Sequence, residues 1–110
     1  MRKDDAIRLR HMLEAAKDAE DFIHGKMRVD LSKDRKLELA LIKCIEIVGE
    51  AAANVSKECR DDIPQIPWVD IIGMRNRLIH AYFEINLDIL WNTVKEDLPP
   101  LIIELEKINP

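Results

Sequence analysis

The sequence predicts an all-α fold: an up-and-down antiparallel bundle of four main helices plus a short C-terminal helix. Two observations predict it. Three glycines, and prolines grouped at Pro64/Pro67 and Pro99/Pro100, leave long uninterrupted segments that favour helix over sheet. Within those segments apolar residues recur at alternating spacings of three and four, the period of a face that packs in a bundle. The 110 residues make one domain, 1–110, with 47% hydrophobic and 35% charged residues, enough to bury a core and stay soluble.

The first helix is expected from about Asp4 to His24, with Leu9, Met12, Ala16, Ala19 and Ile23 as its seam. Asp4 and Asp5 suit its positive N-terminus, and Gly25 is a natural stop. His11 and His24 belong to no motif and read as surface residues. Met27 to Leu31 reads as a connection. The second helix is expected from a Ser32 N-cap, with Asp34 in its first turn, to about Val55. Leu37, Leu41, Cys44, Val48, Ala51 and Val55 keep strict four-three spacing. Leu39, Ile42 and Ile47 lie off that seam, so this helix is apolar on a second flank and is expected to meet a second partner. Between them runs a polar ridge of Glu46, Glu50 and Asn54.

Arg60 to Pro67 reads as a loop, with Pro67 placed for the first turn of the third helix. That helix is expected to run to Tyr82 or Phe83. Asn86 or Asp88 starts the fourth, with Leu87, Leu90, Trp91 and Val94 inward. Pro99 and Pro100 are expected to stop or kink it, and Leu101 to Ile108 forms the last piece. Trp68 and Trp91 read as core anchors. Cys44 and Cys59 read as reduced thiols of a cytosolic protein, since neither a CxxC nor a nearby histidine suggests a metal.

The net charge of −4 argues against binding long duplexes through a general positive field, so any nucleic-acid contact must be local. No apolar run reaches transmembrane length, no signal peptide opens the chain, and a cytoplasmic location without a membrane partner is expected. One stretch breaks the apolar logic. On the wheel of the third helix Arg75 falls among Ile71, Ile72, Leu78, Ile79 and Tyr82, while Asn76, Arg77 and His80 fall opposite. A buried guanidinium cannot lose its proton and needs a carboxylate, and Glu46 or Glu50 on the polar ridge are the candidates. Taken alone, Arg75 reads first as a structural ion-pair residue.

Arg75-Asn76 followed by His80 resembles the Arg-x4–6-His signature of HEPN-domain ribonucleases. The longer Arg75-x4-His80-x-Tyr82 resembles the HepT toxins of the MNT/HepT toxin–antitoxin systems. Glu46-Ile47-Val48-Gly49-Glu50-Ala51-Ala52, Ile66-Pro67-Trp68 and Asp97-Leu98-Pro99 extend the similarity from about Asp4 to Leu105. The resemblance implies a HEPN-like bundle and a homodimeric endoribonuclease with catalytic Arg75 and His80. It also implies an MNT-type nucleotidyltransferase antitoxin that attaches AMP to Tyr82. Asn76 and Arg77 are auxiliary substrate-binding candidates.

The chemistry suits these residue types. An arginine fork gives two parallel hydrogen bonds to phosphate oxygens, and histidine titrates nearest neutral pH. RNA supplies its own 2′-OH nucleophile, so no metal and no cofactor is expected. Five residues apart on one straight helix, Arg75 and His80 would diverge by about 140°. Either the helix breaks near His80 or a twofold partner completes the site. The rival reading is a non-catalytic helical binding or regulatory subunit of a nucleotidyltransferase; a plain helical scaffold would leave Arg75 unexplained.

Overall fold

The computed structural model describes residues 1–81 and 84–108, and of residues 79–81 the backbone alone. Helix α1 spans Lys3–Phe22, α2 Arg28–Lys33, α3 Arg35–Asn54 and α4 Lys57–Asp62. Helices α5 (Trp68–Ile72) and α6 (Met74–Leu78) precede a hairpin of β1 (Ile79–Ala81) and β2 (Glu84–Ile85). Helix α7 (Leu87–Asn92), a π turn (Thr93–Asp97) and α8 (Leu98–Ile108) then follow without a break. The fold is an all-α bundle carrying one small antiparallel hairpin.

Helices α1 and α3 form its centre, and they run antiparallel. Asp5, in the first turn of α1, accepts hydrogen bonds from the Ser56 amide at 2.8 Å and the Ser56 hydroxyl at 2.7 Å, just beyond the end of α3. Helix α8 returns along α1: Glu20 and Ile23 share a recess with Val94, Lys95 and Pro99. Leu9, Met12, Ala16 and Ala19 on α1 are buried against a core that includes Leu41, Ile45, Val48, Leu90, Leu98 and Leu105. The small Ala16 and Ala19 permit close approach of the neighbouring helices.

Several expected boundaries move, each for a local reason. Gly25 takes φ +74° and turns the chain after α1, a conformation that costs glycine little. The connection expected at Met27 to Leu31 instead opens α2. Asp30 reaches back to the Met27 amide at 2.7 Å, and Arg28 anchors the turn to Asp88 at 2.7 Å. Asp34, not Ser32, caps α3, accepting from the Leu37 amide at 3.1 Å. The expected loop begins later, because Ser56 caps α4 by accepting from the Cys59 amide at 3.1 Å. Trp68 donates its indole N–H to the Ile63 carbonyl at 3.0 Å and is partly buried, as is Trp91.

Pro99 and Pro100 neither stop the chain nor begin a separate helix. They sit in the first turn of α8 and cannot donate to the carbonyls four residues back. The preceding turn widens to a π turn, in which the Leu98 amide bonds to the Thr93 carbonyl five residues earlier. Thr93 is buried and passes its hydroxyl to the Ile89 carbonyl at 2.8 Å.

Candidate functional site

The site grows from a close approach of backbone to α3. A Cβ at Gly49 would stand 3.5 Å from the Ile72 carbonyl and 3.6 Å from the Ile71 carbonyl. These are ordinary contact distances, so the end of α5 lies against α3 with room for no more than a small side chain at this position. Glu46 is three residues earlier, on the same flank of the helix. Gly73 then interrupts the expected third helix, and α6 starts with a new phase.

Met74 and Leu78, four apart, are buried, which turns Arg75, Asn76 and Arg77 outward. The expected centring of Arg75 on an apolar face does not survive this break: its side chain is 50% exposed. It is still held. Arg75 Nε donates to Glu46 Oε1 at 3.1 Å, and Glu46 is 27% exposed. Among the described residues only Nε is engaged, leaving the two terminal nitrogens free to form a fork toward solvent. Glu50 is exposed one turn further along α3 and is not the partner. Arg77 stands 3.9 Å from Asp70, a contact too long to fix it.

The third helix was expected to reach Tyr82 or Phe83; it ends at Leu78. The Asn86 amide donates to the Leu78 carbonyl at 2.8 Å, and Ile79 pairs with Ile85 and Ala81 with Glu84. Asn86 also caps α7, accepting from the Ile89 amide at 2.9 Å, and so pins the returning strand. The backbone of His80 therefore lies in β1, just past the helix carrying Arg75, and the divergence expected on one straight helix no longer applies. The His80 side chain and all of Tyr82 lie outside the described residues.

Sequence reasoning did not pick out Asp70 or the register change at Gly73. A glycine inside a helical pattern was the available signal for the second. Among the described residues, no group of three or more His, Cys, Asp and Glu side chains is placed to hold a metal ion. Among the described residues no helix is long and apolar enough to cross a membrane. A recess of about 470 Å³ around Asp5, Cys59 and Asp62 shares no residue with this site. Burial pushes the Cys44 thiol up to about 11, with Asp18 adding to the shift, and burial also raises Cys59, so neither is poised as a nucleophile.

The family model described as Ribonuclease HepT-like matches residues 12–108. A probable ribonuclease HepT of Thermococcus cleftensis is 39% identical over 101 residues, covering 92% of each chain. A putative RNase of Caldanaerobacter subterraneus is 36% identical over 100 residues, covering 91% of this chain and 89% of that one. A gamma-glutamylcyclotransferase and putative RNase of Methanocaldococcus jannaschii is 40% identical over 108 residues, 98% of this chain but 49% of its own length. No solved structure matches.

Proposed function

The chain belongs to the HepT-like ribonuclease family, and from that premise we propose that it is the toxin of a type II toxin–antitoxin system, cutting RNA without a metal. Its chemistry follows from the residues of the motif. A histidine takes the proton of a ribose 2′-OH. The 2′-oxygen bonds to the adjacent phosphorus, the bond from phosphorus to the 5′-oxygen breaks, and a second acid returns a proton to that oxygen. The products are a 2′,3′-cyclic phosphate and a 5′-OH. Arg75 bonds the phosphate oxygens as negative charge builds on them.

One observation carries this reading. Among the described residues Arg75 is held by Glu46 through Nε alone, half-exposed, on the short helix that leads directly into the strand bearing His80. An arginine kept only for structure has no need of an open fork. In a twofold dimer, the His80 of one copy serves as base and that of the other as acid. Asn76 and Arg77, exposed beside Arg75, hold neighbouring parts of the strand. An MNT-type nucleotidyltransferase neutralises the enzyme by transferring AMP from ATP to the Tyr82 hydroxyl with release of pyrophosphate, which places a phosphodiester where the substrate's would bind. The test is cleavage of RNA in chelator with analysis of the new ends. Uncut RNA with the folded protein would leave the non-catalytic regulatory subunit as the better reading.

A further inference from the structure

On the flank of the bundle next to Glu46 lies a shallow recess of about 290 Å³, lined by Arg8 and His11 of α1 and by Ile47, Glu50, Ala51 and Asn54 of α3. Glu50 follows Glu46 by one turn of α3, a rise of about 6 Å, so the recess begins beside the Arg75–Glu46 pair. Its charged groups are uncommitted among the described residues. Arg8 is half-buried, yet among the described residues neither it, His11 nor the Glu50 carboxylate makes an ion pair or a side-chain hydrogen bond. Arg8 of α1 and the exposed Glu50 of α3 line the same recess from two helices, and among the described residues neither is spent on a partner. The Asn54 amide nitrogen is already spent on the Glu50 carbonyl at 2.8 Å, so the free end of that side chain is its oxygen, an acceptor.

The recess therefore has a donor side, Arg8, and an acceptor side, Glu50 and Asn54. A phosphate suits only the first and is repelled by the second. Of the four RNA bases, guanine alone offers adjacent donors, N1–H and N2–H₂, together with adjacent acceptors, O6 and N7. Arginine to O6 and N7 is the commonest specific base contact, and a carboxylate accepts both N1–H and N2–H₂. We propose that this recess is a guanine subsite of the RNA substrate, with Arg8 and Glu50 reading the base of a nucleotide close to the cleaved bond. The inference rests on RNA being the substrate and adds a sequence preference to it.

The test uses the full chain and 2′-O-methyl oligoribonucleotides, which cannot be cleaved. Guanine, adenine or hypoxanthine is placed at a single position, and that position is moved along the strand. Fluorescence anisotropy should show guanine bound about tenfold more tightly than adenine at one register. Hypoxanthine, lacking the N2 amino group, should fall between them. Glu50→Gln and Arg8→Ala should each erase most of the preference while Arg75-dependent cleavage of guanine-free RNA continues. Equal affinity for all three bases, or an unchanged preference in both variants, would overturn the subsite. So would guanosine monophosphate binding as tightly as the guanine strand, which would make the recess a free-nucleotide site. A wild-type protein that neither binds nor cuts any RNA would instead overturn the ribonuclease reading itself, and the subsite with it.

Discussion

Arg75 and Glu46 join the motif helix α6 to the central helix α3 of the bundle, Nε to Oε1 at 3.1 Å. The pair is half-exposed, where such contacts contribute about 0–1 kcal/mol to stability. Its value is in orientation: with Nε fixed, the plane of the guanidinium and the direction of its free fork are set. Glu46→Ala should therefore lower melting temperature by at most a few degrees but slow RNA cleavage by about tenfold or more. Thermal melts beside single-turnover kinetics check this. Equal activity in a folded Glu46→Ala protein would remove the orienting role.

Arg75→Ala and His80→Ala should each reduce cleavage by at least about 10²-fold, the scale for losing one group that stabilises a transition state. Circular dichroism should be unchanged, since Arg75 is exposed and His80 lies on a two-stranded hairpin. Wild-type activity should persist in chelator and leave 2′,3′-cyclic phosphate ends. A folded His80→Ala protein cutting at the wild-type rate would defeat the mechanism.

Much of this was legible from the sequence. Three-four spacing gives the buried faces of α1, α3 and α8 because burial of a helix stripe is a repeating constraint. Arg75 stood out because a continuous helix would set it among apolar neighbours, an arrangement that the break at Gly73 removes; its pairing with Glu46 was legible because Glu46 lay on the polar ridge of α3. The breaks were less legible. Gly73 and the pairing of Ile79 with Ile85 end the motif helix through contacts that the apolar pattern does not encode. Helix α2 rests on Arg28 reaching Asp88, sixty residues away. Pro99 and Pro100 were expected to interrupt a helix, but a π turn absorbs their missing donors.

Gly49 should tolerate alanine. The new Cβ would sit at ordinary van der Waals distance from the Ile71 and Ile72 carbonyls, and alanine favours helix by up to about 1 kcal/mol. Gly49→Val places further methyl groups where those carbonyls lie, and should destabilise by about 1–3 kcal/mol. Urea denaturation of the two variants should give effects of opposite direction. Cleavage should fall only in the valine variant, as α5 and α6 shift from α3.

Asp5 supplies the pH dependence. Its hydrogen bonds from the Ser56 amide, then the Ser56 hydroxyl, hold its carboxyl below the ordinary value of 3.8. A depressed carboxylate favours folding above its unfolded pKa, and that contribution fades as pH falls through the lower folded pKa. Asp5→Asn should cost about 1–3 kcal/mol at neutral pH. The difference from wild type should shrink only below about pH 4. Parallel stabilities down to pH 2 would show that the carboxylate charge is irrelevant to this junction.

The last prediction concerns assembly. Leu39 is 49% exposed on α3, and Ile42 is half-buried beside it on the same outer side, next to Glu46 and away from the recess that Ile47 lines. A single bundle leaves this flank in water, beside the half-exposed fork of Arg75. A twofold contact through it would cover the apolar residues and bring two copies of Arg75 and Arg77 to one cleft, locally positive in a protein of net charge −4. Two His80 residues could then act as base and acid on one phosphate. The contact should bury more than about 1,000 Å² in total. Light scattering should give a dimer for wild type and a folded monomer for Leu39→Lys, with cleavage lost in the monomer. A monodisperse wild-type monomer that still cuts RNA would contradict the shared cleft and place base and acid within one chain.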